Sequence, residues 1–210
     1  MTPPTLGVIL AGGLARRMGG GDKPLLRLGG RTLLDRVVER LGPQCAAGLV
    51  LSANGDPARF REFAGPVLPD SVGGHPGPLA GILAGLDFAA GHRPGVSHVV
   101  SVASDTPFLP PDLVARLHRA LNDSCPIAVA ASGGRDHYAV ALWPVSLRGD
   151  LCAALGERDE RRLGAFIARH GSAISEWPVE PVDPFLNVNA PADLAAAEAI
   201  LKDTAAASRL

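Results

Sequence analysis

Short apolar runs alternate with amphipathic stretches along the first half of the chain. Residues 6–10 (Leu-Gly-Val-Ile-Leu), 49–51, 67–68 and 98–103 are apolar and rich in β-branched side chains, the pattern of strands buried on both faces. Between them, residues 31–41 carry Leu33, Leu34, Val37, Val38 and Leu41 on one helical face, and residues 79–90 predict a helix built of small side chains. Another helix starts at Pro110-Pro111-Asp112 and runs to Leu121. Strand and helix alternating in this way predict βαβ units around a parallel sheet.

The pattern changes in the second half. Residues 127–131 and 138–143 predict two strands flanking a polar turn at 132–137, either a hairpin or neighbours in a mixed sheet. Charged helices are expected near 146–155 and 161–170, a short strand end at 185–189, and a closing helix from Pro191 to Leu201. Residues 202–210 are expected to form a flexible tail. No repeat and no long Pro/Gly linker interrupts this order, so a single domain over 1–201 is expected.

Composition narrows the function classes. The 210 residues are 47% apolar, and 20 basic against 21 acidic side chains leave a net charge of −1. A bulk basic footprint for nucleic acid or anionic membrane is therefore excluded, though a local basic pocket is not. Aromatics at 4% argue against base-stacking platforms. Three dispersed cysteines, Cys45, Cys125 and Cys152, give neither a disulfide framework nor a zinc site. Residues 1–5 lack the basic and apolar regions of a targeting segment, and a cytoplasmic location is expected.

The densest chemical signal is Leu10-Ala11-Gly12-Gly13-Leu14-Ala15-Arg16-Arg17-Met18-Gly19-Gly20-Gly21-Asp22-Lys23. Glycines after a first buried strand let backbone N–H groups turn toward an anion. Arg17 and Lys23 add a bidentate donor and a point charge for phosphate oxygens. The end of a parallel strand is where open α/β sheets bind ligands. Asp105 follows the 98–103 strand and is placed to hold a hard cation such as Mg²⁺; a turn aspartate ahead of Pro107 is the plainer alternative. Asp70, in the same position after 67–68, suits a ribose or base contact or an Asx turn. Asn187 and Asn189 alternate along an extended segment and would share one face, either as metal-completing amides or as turn residues. Gly77-Pro78-Leu79-Ala80-Gly81 opens a tightly packed helix whose backbone suits a base edge. His75 and His137 lie in polar loops within reach of a substrate.

Taken in order, the glycine loop, Gly77–Gly81, Asp105-Thr106-Pro107, Arg135-Asp136-His137 and Asn187-Val188-Asn189-Ala190-Pro191 resemble the molybdenum cofactor guanylyltransferases. That family lies within the GT-A-like nucleotidyltransferases, and the resemblance runs over residues 6–200. It implies a three-layer α/β/α Rossmann-like fold with a mostly parallel central sheet. It implies transfer of GMP from GTP to molybdopterin or Mo-molybdopterin, with Mg²⁺, or Mn²⁺ in its stead. By the same resemblance, molybdoenzyme chaperones or other molybdenum cofactor enzymes would be further partners, and a monomer is expected. The N-terminal half would bind GTP through Leu10, Ala11, Gly12, Gly13, Lys23, Ser52, Asn54, Asp70, Gly77, Pro78, Leu79 and Asp105. Lys23, Arg17 and Asp105 would be catalytic, and Asp105, Asn187 and Asn189 would hold the metal. The C-terminal half would face the pterin through Arg135, Asp136 and His137, joined by Arg161 or Arg162. Ser52 departs from the family's Asn at that position, which moves weight to Asn54. A cytidylyltransferase or a sugar- or polyol-phosphate transferase of the same fold, and a non-catalytic nucleotide-binding module, are the rival readings.

Overall fold

The computed structural model describes residues 2–12, 22–71 and 77–207, the last four by backbone alone. From β1 (Thr5–Leu10) the chain reaches a small hairpin, β2 (Arg27–Leu28) and β3 (Arg31–Thr32), and then α1 (Leu33–Leu41). β4 (Leu49–Ser52), β5 (Val67–Leu68), α2 (Pro78–His92), β6 (His98–Ala103) and α3 (Leu113–Ala120) follow. The second half contributes β7 (Ile127–Ser132), β8 (Arg135–Pro144), α4 (Arg148–Gly156), α5 (Leu163–His170), β9 (Ser172–Trp177) and α6 (Pro191–Ala207). No helix among the described residues is long and apolar enough to cross a membrane.

Seven strands form one sheet in the order β5-β4-β1-β6-β8-β7-β9. Only β8 runs antiparallel to its neighbours; the other pairings are parallel. The chain steps outward from β1 to β4 and β5, then returns to place β6 on the other side of β1. That reversal opens a crevice beyond the C-terminal ends of β1 and β6. Register fixes its floor, because Leu10 lies opposite both Ser52 and Ala103.

Helices cover both faces, completing three layers. On one face Leu34, Val37 and Leu41 of α1 and Leu113, Val114 and Leu117 of α3 pack against Ile9, Val100 and Leu142. On the other, α2, α4 and α5 bury Leu79, Leu83, Leu151 and Phe166 against Val8, Val99 and Trp143. α1 starts where sequence chemistry directs it. Thr32 caps the helix and Asp35 reaches back to the Thr32 amide, both bonds 3.0 Å, a reciprocal capping box. α2 lies unusually close to the sheet because two of its residues lack side chains. A Cβ on Gly81 would sit 2.5 Å from Ser52 Oγ, and one on Gly85 would sit 2.9 Å from Val8 Cβ.

Five features differ from the sequence expectation. Arg135, Asp136 and His137 are not in a turn; Gly133 and Gly134, at φ of 56° and 74°, make the turn alone and β8 begins at Arg135. The pairing of β7 with β8 jumps from Val129↔Ala141 to Ala130↔His137, which bulges residues 138–140 out of the ladder. β9 gives no apolar alternation, since Ser175 is buried while Ile174 is 47% exposed. Residues 185–189 form no strand: Phe185 and Val188, three apart, are the buried positions, and the Val188 amide bonds the Asp105 carbonyl at 2.9 Å. The closing helix continues beyond Leu201 to Ala207.

Candidate active site

Two cavities open at the C-terminal edge of the sheet. The first, about 390 Å³, is lined by Leu10, Ala11, Gly12, Asp22, Ser52, Ala53, Asn54, Arg59, Asp70, Gly77, Pro78 and Gly81. β1 and β4 supply its floor, and the N-terminus of α2 supplies one wall with its unpaired amides and positive dipole end. The opposite wall is built by polar side chains. Asn54 donates Nδ2–H to Asp70 Oδ2 at 2.7 Å and accepts the Asp70 amide at 2.9 Å. Arg59 bonds Asp22 Oδ1 at 2.6 Å and also the Asn54 carbonyl. Ser52 is buried against Gly81. Leu79 does not line this cavity; its side chain is buried in the core under α2, which leaves only its backbone for a ligand.

The second cavity, about 280 Å³, is lined by Ala103, Asp105, Thr106, Arg135, Asp136, His137, Tyr138, Ala139, Val140, Phe185 and Asn187. The bulge of residues 138–140 forms one side. Leu10 and Ala103, register neighbours on β1 and β6, line one cavity each, so the two spaces adjoin across the centre of the sheet.

Lys23 stands at this junction. Its ammonium pairs with Asp105 Oδ2 and bonds Asn189 Oδ1. Both charged side chains are mostly buried, at 15% and 16% exposure. Asp105 Oδ1 is buried without a hydrogen-bond partner among the described residues. A cation already sits between a carboxylate and an amide oxygen, and a further carboxylate oxygen is left over. That donor set fits a hard divalent cation, which takes oxygen ligands and draws the remainder from water and substrate phosphates. No group of three His, Cys, Asp or Glu side chains that could hold a metal occurs among the described residues, so substrate oxygens would have to contribute. Asn187 is not brought to the same point. Its Oδ1 accepts from Thr106 Oγ1 at 3.0 Å, because 185–189 bends instead of alternating. Gly13, Arg17 and His75 lie outside the described residues.

His137 lies in the second cavity with Nε2 2.8 Å from Ser132 Oγ and its ring against Phe185, centroids 4.8 Å apart. Burial holds its pKa below the usual imidazole range; Asp183 offsets part of the effect and Arg135 adds to it. Sequence reasoning missed Asp22, Arg59, Ser132 and Asp183. Asp22 was legible beside Lys23. Arg59, Ser132 and Asp183 carry no local signature, since contacts across 37 to 51 residues place them.

Comparison with known proteins gives the chain's family and fold. The model of the MobA-like NTP transferase domain matches residues 7–173. A molybdenum cofactor guanylyltransferase from Rhodopseudomonas palustris (strain BisB5) is 57% identical over 204 residues, covering 96% of this chain and 97% of that one. Molybdopterin-guanine dinucleotide biosynthesis protein A from Archaeoglobus fulgidus has a TM-score of 0.72 at 22% identity, covering 94% of this chain and 99% of that one. A Mycobacterium tuberculosis H37Rv protein solved in complex with manganese has a TM-score of 0.63 at 20% identity, covering 95% and 100%. The last two share the fold. With the family model over most of its length and a curated relative of such identity, the chain belongs to the MobA-like NTP transferases and, among these nucleotidyltransferases, to the molybdenum cofactor guanylyltransferases.

Proposed function

We propose that the first cavity binds GTP, that the second receives molybdopterin or Mo-molybdopterin with its phosphate end toward the first, and that GMP is transferred at their junction. The observation that carries this reading is the Lys23–Asp105–Asn189 cluster standing where the two cavities adjoin. The names of the curated relatives support the choice of GTP and the pterin.

A phosphomonoester oxygen attacks the α-phosphorus of GTP. The bond from that phosphorus to the bridging oxygen breaks, and pyrophosphate leaves. The attacking phosphate is already anionic at neutral pH, so no protein nucleophile is required. The difficulty is to hold two anions together and to offset charge growing on the leaving group. Lys23 supplies a fixed positive charge, and Arg17 would supply a second. The α2 N-terminus and the Gly12 backbone face the nucleotide with N–H groups, while Asn54 and Asp70 present paired polar edges to base or ribose. Asp105 and Asn189 would hold Mg²⁺, which neutralises phosphate charge when bound. Arg135, Asp136 and His137 line the pterin side.

Calorimetric titration with GTP, CTP, ATP and UTP in Mg²⁺, repeated with Asp105→Ala, tests the reading. Selective GTP binding that weakens in the variant is expected. Preference for CTP would overturn the guanylyl assignment, and binding of no nucleotide would overturn the role of the first cavity.

A further inference from the structure

The second cavity contains a hydrogen-bond chain that the transfer step above does not use. Ser132 closes β7 and is 3% exposed. Its Oγ lies 2.8 Å from Asp183 Oδ1 and 2.8 Å from His137 Nε2. A carboxylate accepts only, and a hydroxyl has one proton to give. Ser132 therefore donates to Asp183, and its oxygen must accept from His137. The proton of the neutral imidazole is on Nε2, and the ring's lone pair is on Nδ1. Nδ1 has no partner among the described residues and is not sealed from solvent. The Phe185 contact fixes the ring plane, and the Phe185 amide holds Asp183 Oδ1 at 3.0 Å. The same geometry argues against Ser132 as a nucleophile, because its proton points to a carboxylate and the imidazole donates to its oxygen.

We propose that Ser132 and Asp183 are positioning residues for the second substrate: they lock His137 in its Nε2–H form, so that Nδ1 accepts a hydrogen bond from a ring N–H of a nitrogen heterocycle in the second cavity. The proposal rests on the reading that this cavity receives the pterin, and it names the contact. An uncharged acceptor suits the place. The cavity already holds Asp105 and Asp136 and must admit a phosphate, so a further carboxylate aimed at the ring would repel the substrate's own charge. The charged groups around the imidazole are Asp183, Arg135, Asp136 and Glu176. Asp136 is engaged by the Tyr138 hydroxyl at 3.3 Å.

The tautomer is directly observable by long-range ¹H–¹⁵N correlation on the full chain, with His137 assigned through His137→Gln. The wild-type ring should show a protonated Nε2 and a bare Nδ1. Asp183→Ala should shift this toward the Nδ1–H form, since the Ser132 hydroxyl, freed from the carboxylate, can donate to Nε2. A protonated Nδ1 in the wild type, or an unchanged tautomer in Asp183→Ala, would overturn the lock. In steady-state transfer assays, Ser132→Ala and Asp183→Ala should raise KM for the second substrate by up to about tenfold, the size of one hydrogen bond. KM for GTP should stay the same, which also reports an intact fold. Arg135→Ala separates the two layers of the argument. A raised second-substrate KM in Arg135→Ala with none in the Ser132 and Asp183 variants overturns the positioning role and leaves the cavity's assignment standing. No change in any of the three overturns both.

Discussion

Replacing Asp105 by Asn tests the junction with minimal change of shape. The carboxylate is mostly buried, pairs through Oδ2 with Lys23 and leaves Oδ1 without a partner among the described residues. Asn keeps the volume and removes the charge. Lys23 is then held by amide oxygens alone, and a divalent cation loses its one carboxylate ligand. Deleting one preorganised electrostatic contact of this kind costs about 2.7–4 kcal/mol, or about 10²–10³ in kcat. Lys23→Ala should fall in the same range. The two residues touch each other and serve the same phosphates, so their effects should not add. The double variant should lie close to the worse single, with a coupling energy of about 2.7–4 kcal/mol, the size of the smaller single loss. Pyrophosphate release with GTP and the pterin substrate measures all three. Wild-type turnover in either single variant, or losses that multiply in the double, would refute the claim that Lys23 and Asp105 act as one unit.

Three other outcomes follow from the geometry. Gly81→Ala places a Cβ 2.5 Å from Ser52 Oγ and 2.9 Å from Leu10 Cδ2; α2 must retreat, at a cost of about 1–3 kcal/mol in thermal unfolding together with a raised KM for GTP. Arg59→Ala unties Asp22 from the Asn54 carbonyl and should weaken GTP binding by roughly tenfold in calorimetry, the value of one charge-assisted bond, without moving KM for the second substrate. His118 has a pKa lowered to about 4, by burial first and by His98 second. A lowered base means that the unfolded chain binds more protons between its ordinary value of 6.5 and about 4, so stability is whole above that window and lost as pH falls through it. Urea titrations should find about 3 kcal/mol of loss from this group and should find the loss smaller in His118→Gln, leaving the part due to His98 and His137, which burial shifts in the same direction; a loss of equal size in both proteins would contradict the assignment.

The parallel half of the fold was readable because its signals are local. β1 and β6 are uninterrupted apolar runs, and the glycine loop follows directly on the first of them. Asp105 and Asp70 were found because a carboxylate at a strand's end has a predictable place. The errors came where tertiary context sets the structure. β9 exposes Ile174 and buries Ser175, the reverse of what hydrophobicity suggests. Residues 185–189 look extended, but Phe185 and Val188 are buried at helical spacing, which separates Asn187 from Asn189. Leu79 buries its side chain in the core under α2, which leaves its backbone for a ligand, the part of that motif the sequence reading assigned to a base edge. Arg59 and Ser132 each join a partner five residues away to one 37 or 51 residues off, and a single sequence offers no signal for the distant pairs.

The contact between Lys23 and Asn189 has a consequence for synthesis. It joins residues 166 positions apart, and the neighbouring bond from the Val188 amide to the Asp105 carbonyl ties the same late segment to the sheet. A ribosome has made about nine-tenths of the chain before the last of these groups exists. Contacts this far apart form late, because the loop must be closed before they reward it. The parallel half has all its strands much earlier, and with them most of the first cavity. On the proposed reading, a nascent chain passes through a stage at which the nucleotide pocket precedes the junction that would use it. A chain cut before Val188 should then bind nucleotide without transferring it.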